Sequence, residues 1–258
     1  MEAGKDIRLT GATLEALGGN GSLILKAGNN IHLDTDTLEA KKDMTENSDN
    51  YIRTYRKTET TNTLAAGKNI TLAAGENLSA RNTTVLSENG QITAAAKGDV
   101  NLENGYNESR DDYGLKYKER GLLSSKTTTI KSRDESKTVT ASTLSGDTVQ
   151  ITAGGNTNVI GSNVVGTHDV AISSGKDTSI SSAEEYEQHD YAKQVKKSGL
   201  LSGGGLGFTI GMEKRKDQYR DADVLQKGST VGSISGNVTI TSDKDIHNAN
   251  NASQKEGD

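Results

Sequence analysis

The chain has 258 residues and lacks cysteine, proline and tryptophan altogether, with one phenylalanine. Without cysteine there is no disulfide scaffold and no thiolate metal site. An excess of positive charge is also missing. Thirty basic and 35 acidic residues leave a formal charge of −5, which argues against a nucleic-acid binder and its basic surface. No apolar run approaches the ~18 residues of a membrane-spanning helix. The stretch Met1–Lys5 has no apolar core of a signal peptide. The chain is therefore expected either to stay where it is made or to be a piece of a longer protein. The absence of proline suits a ladder of strands, because proline cannot donate to one.

What is present is a recurring phrase: a small residue, Gly, one or two polar residues, then an apolar–x–apolar step. It reads Ala3-Gly4-Lys5-Asp6-Ile7-Arg8-Leu9, Ala27-Gly28-Asn29-Asn30-Ile31-His32-Leu33 and Ala66-Gly67-Lys68-Asn69-Ile70-Thr71-Leu72. Looser copies continue to Asp243-Lys244-Asp245-Ile246. Period-two alternation puts Ile7 and Leu9 on one face and Arg8 on the other. Gly followed by Asp or Asn supplies a turn. Gly146, Gly155, Gly166 and Gly175 are spaced 9, 11 and 9 apart, so two turns close a coil of about 20 residues. Short Thr/Val/Ile strands at that period predict an all-β solenoid, a β-helix of seven or eight coils (~20 residues each). Inward Thr and Asn are expected to hydrogen-bond from coil to coil.

The phrase is missing from residues 41–63, 103–137 and 182–229. All eight Tyr and the Phe fall in those three stretches, with 21 of the 30 basic residues. They are expected to be insertions that protrude from a single rod. The second and third share a pattern. Gly121-Leu122-Leu123-Ser124 and Gly199-Leu200-Leu201-Ser202 each follow a charged, Tyr-containing arm, and an alternating run comes after. Each predicts a long β-hairpin; the first reads as a shorter version.

The repeat phrases and paired Gly-Leu-Leu-Ser insertions resemble the haemagglutinin-repeat region of filamentous-haemagglutinin-like exoproteins of two-partner secretion. The resemblance is nearest to contact-dependent growth inhibition effectors of the CdiA type. It implies a right-handed parallel β-helix with protruding hairpins, secreted or at the bacterial surface as part of a larger exported protein. It also implies an outer-membrane secretion partner for the parent, and a role in target outer-membrane association and passage of a C-terminal toxin. An adhesin stalk binding surface molecules of a host or neighbouring cell is the alternative. Lack of cysteine suits export as an unfolded chain.

No enzyme activity, cofactor, metal or small-molecule substrate is expected. His32, His168, His189 and His247 read as outward polar residues, without metal-ligand spacing. Asp34 with Asp36, and Asp243 with Asp245, could pair as carboxylates, but Asx-rich turns produce the same spacing. Gly203–Gly207 lacks the Gly-Lys-[Ser/Thr] ending of a phosphate loop. The candidate contact residues are Leu200, Leu201, Leu206, Phe208 and Ile210, an apolar centre between basic arms. They are expected either to meet a target membrane or partner, or to fold back on the rod or a neighbouring hairpin.

Overall fold

The computed structural model describes residues 1–202, 208–249 and 254–256. It is a parallel β-helix of seven coils. The first face stacks Glu2–Ala3, Leu23–Ala27, Ile70–Ala74, Gln91–Ala96, Thr148–Ala153, Val170–Ser174 and Val238–Ser242. The second stacks Ile7–Thr10, Ile31–Asp34, Leu78–Arg81, Val100–Glu103, Thr157–Ile160, Thr178–Ser181 and Ile246–Ala249. The third runs from Thr13–Ala16 through Asn62–Ala66, Thr83–Ser87, Thr143–Gly146 and Asn163–Gly166 to Thr230–Ser233. At ~4.8 Å per coil the rod is about 30 Å long.

Period-two alternation explains the interior. In-register pairing lines up like residues in columns one side chain wide. Leu25, Leu72, Ala94, Ile151, Ile172 and Ile240 form one column. Leu14, Leu64, Val85, Leu144, Val164 and Val231 form another. So narrow a core has no room for aromatics, which is why the repeat phrase contains none. Towards the last coils, buried hydroxyls replace aliphatic groups. Ser174 Oγ lies 2.7 Å from Thr157 Oγ1 and 2.8 Å from Thr178 Oγ1, so the three satisfy one another.

The Asp or Asn of the phrase has a structural task. At the corner between first and second faces, each side-chain oxygen accepts the backbone N–H of its counterpart one coil on. The ladder runs Asp6, Asn30, Asn77, Asp99, Asn156, Asp177, Asp245, at 2.7 to 3.2 Å. The Asn30 backbone N–H, then its side-chain amide, hold the Asp6 carboxyl below its ordinary range. That contribution is present above the ordinary carboxylate range and lost as pH falls through the depressed value. Asn77 also donates to Asn30 Oδ1 at 3.2 Å. Asn77→Ala is expected to cost about 1 kcal/mol, whereas Asn77→Asp keeps the acceptor and most of the stability. Thermal melts of the two variants check this; equal melting points would refute the ladder's contribution.

The three insertions are hairpins: Thr37–Asn47 with Asn50–Glu59, Gly105–Arg120 with Ser124–Thr140, and Ala183–Ser202 with Phe208–Lys227. All leave the rod at the corner between second and third faces, from the second, fourth and sixth coils. The first, third and fifth coils close this corner through one residue with positive φ: Gly11 (54°), Asn82 (45°) and Gly161 (51°). A hairpin is two strands wide, about 9.6 Å, and two coils rise by the same amount. One hairpin per two coils therefore tiles an unbroken sheet. The six strands pair antiparallel in chain order as a wall beside the rod. Residues 254–256 pair with its last strand.

Buried polar groups fasten the wall to the corner. Asn82 Nδ2 donates to the carbonyls of Glu59 (3.0 Å) and Thr60 (3.2 Å). Arg81 grips Glu59 with two nitrogens, at 3.0 and 2.7 Å. Ser142 Oγ donates to the Glu103 carbonyl at 2.6 Å and accepts from Thr83 N at 3.0 Å. Ser229 Oγ repeats this for the third hairpin, donating to the Ser181 carbonyl at 2.6 Å and accepting from Ser162 N at 3.0 Å.

Candidate functional site

The wall carries all eight tyrosines and most of the charge. Across the middle of the wall, charges alternate in sign from strand to strand. Asp43, Arg53, Asp112, Arg133, Asp190 and Arg220 stand opposite one another in turn. Arg133 Nε lies 2.5 Å from Asp112, Arg220 Nε 3.2 Å from Asp190 and Arg53 Nε 3.4 Å from Asp43. Asp112 also takes Arg110 Nε at 3.0 Å. The hydrogen bond that Arg133 donates to the Asp112 carboxylate holds its guanidinium above the ordinary range. Glu39, Lys57, Glu108 and Lys137 form a second alternating row. Opposite charges across a strand pair favour the register, so these rows tell each hairpin where to sit.

The tip of the first hairpin is docked on the second. Asp49 meets Lys116 Nζ at 2.7 Å and Lys131 Nζ at 3.2 Å. Lys116, then Lys131, hold the Asp49 carboxyl below its usual range. Tyr51 lies over Gly114, where a Cβ would fall 2.4 Å from the ring. A hollow of about 590 Å³ opens on the face of the wall that carries Tyr51, Asp112, Lys131, Arg133 and Arg220, while the rings of Tyr191 and Tyr219, one residue out of phase, project from the opposite face.

The second and third hairpins reach beyond the first. Leu122 at the second tip is fully exposed, and Leu123 is 65% exposed. Beside them the third hairpin presents Ile210 (82%) and Met212 (89%). Gly199, at φ 115°, brings the two together; a Cβ there would meet the Leu123 carbonyl oxygen at 2.2 Å. Of the residues singled out by sequence, Ile210 stands at this exposed end. Leu200, Leu201 and Phe208 lie on its paired strands, opposite Ile210, Thr209 and Ser202. Leu206 lies outside the described residues. The hairpins thus lie against their neighbours along most of their length and leave apolar groups free at the far end. Leu122 and Leu123 belong to the same patch, and the repeated Gly-Leu-Leu-Ser was the signal that could have found them.

The other polar candidates resolve into structural contacts. His168 and His189 face not their sequence neighbours but Asp147 and Asp134 across the strands. His32 Nδ1 is 3.0 Å from Ser79 Oγ. Asp34 pairs with Arg8 at 3.2 Å, while Asp36 accepts the Thr37 N–H at 2.7 Å. Asp245 donates its N–H to Asp177, at 3.1 Å. Asp177, Asp245 and His247 bring ligand atoms within 4.8 Å of one another. Since Asp177 already accepts the Asp245 N–H, this group is the exposed end of the Asx ladder.

These features define a parallel β-helix that carries a sheet of stacked hairpins along one corner. The chain belongs to the Hemagglutinin repeat family, which matches residues 43–114 and 123–249. It is 31% identical over 253 residues to the tRNA nuclease CdiA-2 of Burkholderia pseudomallei, covering 95% of this chain and 8% of that protein. It is 34% identical over 191 residues to the 16S rRNA endonuclease CdiA of Enterobacter cloacae, covering 71% of this chain and 6% of that protein. Against the deoxyribonuclease CdiA of Dickeya dadantii it is 36% identical over 180 residues, 69% of this chain and 5% of that protein. The chain spans less than a tenth of each of these relatives. No solved structure matches it. This membership places the chain among secreted, surface-exposed exoproteins.

Proposed function

We propose that the chain is a non-enzymatic segment of a larger toxin-delivery exoprotein, in which the β-helix holds the hairpin wall so that its far end meets a target cell's outer membrane. The observation that carries this reading is the exposed apolar end formed by Leu122, Leu123, Ile210 and Met212. Four large apolar side chains left in water at the tips of long, otherwise polar strands suit partition into a membrane interface. Among the described residues the wall is an open sheet whose outer edges are unpaired at the far end, so the contact is with the interface rather than a span of the hydrocarbon core. Leu200, Leu201, Leu206 and Phe208 belong to this contact in the same reading.

Co-flotation with phosphatidylcholine vesicles tests it. The intact chain is expected to float, and a variant with Leu122, Leu123, Ile210 and Met212 changed to Ser to stay behind. Equal flotation of the two would refute the membrane contact. The hollow beside Tyr51 favours the adhesin reading instead, since an aromatic ring flanked by charged groups suits a sugar. Saturable binding on a glycan array, lost in Tyr51→Ala and Arg133→Ala, would decide for it.

A further inference from the structure

Farther out than the alternating row, the same face of the wall breaks the charge alternation. Register places Lys131, Lys116, Lys118, Lys196, Lys214 and Lys216 on the same face, in three adjacent rows. Lys196 stands directly opposite Lys214. Like charges in that position are destabilising, and on the other face the comparable pair is neutralised. There Lys126 opposes Lys197, but Glu119 sits 2.8 Å from Lys126 and Glu213 3.4 Å from Lys197. Among the described residues no carboxylate pairs with Lys118, Lys196, Lys214 or Lys216. Asp49 is the one carboxylate lining the hollow of about 400 Å³ beside Lys196 and Lys216, and it is held by Lys116 and Lys131.

A second observation says what faces the lysines. Along strand Phe208–Lys227, Ile210, Met212, Lys214 and Lys216 follow at period two, so they project from one face. The exposed apolar pair is outermost, and the lysines stand four residues behind it. At ~3.4 Å per residue that offset is about 14 Å, the distance from a seated apolar tip back through a headgroup layer.

We infer that this lysine face binds the phosphate groups of anionic lipid headgroups when the apolar end seats in a bilayer. The inference rests on the membrane-facing reading above and adds to it a lipid class. Ammonium groups meeting phosphates relieve the Lys196–Lys214 repulsion and form charge-assisted hydrogen bonds that an apolar partner could not provide.

The test is co-flotation of the full chain with phosphatidylcholine vesicles, with and without part of the lipid replaced by phosphatidylglycerol. Phosphatidylglycerol is expected to raise binding by about tenfold or more at low salt, and added salt to reverse most of the gain. K196Q/K214Q/K216Q is expected to lose the gain, while K5Q/K68Q/K97Q, with the same charge removed from the rod, keeps it. Equal phosphatidylglycerol dependence in both triple variants would overturn the assignment. Pyrophosphate binding lost in K196Q/K214Q/K216Q, with no preference among vesicles, would overturn the lipid source in favour of a soluble phosphate compound. The serine variant of the tips separates the two readings. If it keeps the full phosphatidylglycerol-dependent gain, the lysine face stands and the apolar seating falls.

Discussion

Gly161→Val is expected to lower the melting point by about 10 °C, a loss of roughly 3–5 kcal/mol for a domain of this size. Gly161 closes the corner of the fifth coil at φ 51°, a conformation costing a non-glycine residue about 1–2 kcal/mol and a β-branched one more. It is also walled in. A Cβ there would lie 2.5 Å from Ala183 Cβ and 3.2 Å from Asn104 Oδ1, the residues at the bases of the third and second hairpins. Overpacking adds ~1–3 kcal/mol. Gly4→Val is the control, because Gly4 has no atom within 4 Å of a built Cβ, and it is expected to melt with the parent chain. Thermal unfolding followed by circular dichroism decides: a Gly161→Val melt within about 2 °C of the parent would show that the corner yields. Asn82 makes the same turn in the third coil and is tolerated because asparagine accepts positive φ and its amide is used by Glu59 and Thr60.

Excising residues 149–169 should break the wall while sparing the rod. Val149 and Val170 are register partners, so the excision removes one hairpin-free coil and joins Thr148 to Val170 in phase. The rod's columns then stack as before. The second and third hairpins, however, leave from adjacent coils, ~4.8 Å apart at their bases, where two strands of width need ~9.6 Å. Pairing of Ser124–Lys137 with Tyr186–Gly199 has to give way near the rod, and Asp190 loses its place opposite Arg133. Hydrogen–deuterium exchange is expected to show those amides losing protection by orders of magnitude, while Leu25, Leu72 and Leu102 keep theirs. Excising the third hairpin alone, residues 183–227, leaves the coil spacing intact and should leave the first two hairpins protected. Unchanged protection of the Ser124–Lys137 amides after the coil excision would refute the two-coil tiling rule.

The arrangement also accounts for where the aromatics went. A coil interior one side chain wide accepts Leu, Ile, Val and Ala. The wall has two open faces, where Tyr51 can lie on Gly114 and Tyr219 can stack at 5.9 Å against His189. Membership of a repeat family thus coexists with two kinds of sequence, one serving the stack and one serving the surface.

By itself the sequence determined the coil. The Gly-Asx phrase names the turn and period two names the inward face. Each copy repeats the instruction, so local chemistry suffices from Asp6 to Asp245. It also marked the three hairpins, because the phrase stops and tyrosine starts, and Ile210 was visible as part of an apolar stretch between basic arms. The wall was not visible. Asp43 and Arg220 share a row only because six strands stack on a two-coil pitch, and that pitch is a property of the rod rather than of any hairpin. The left-handed corner was hidden for the same reason, since Gly11, Asn82 and Gly161 share a backbone angle and no phrase. The lysine face needs the register of four strands before Lys118, Lys196 and Lys214 share a row. Period-two patterns fix which residues share a face within one strand, but which strands lie side by side is decided by the spacing of the coils that carry them.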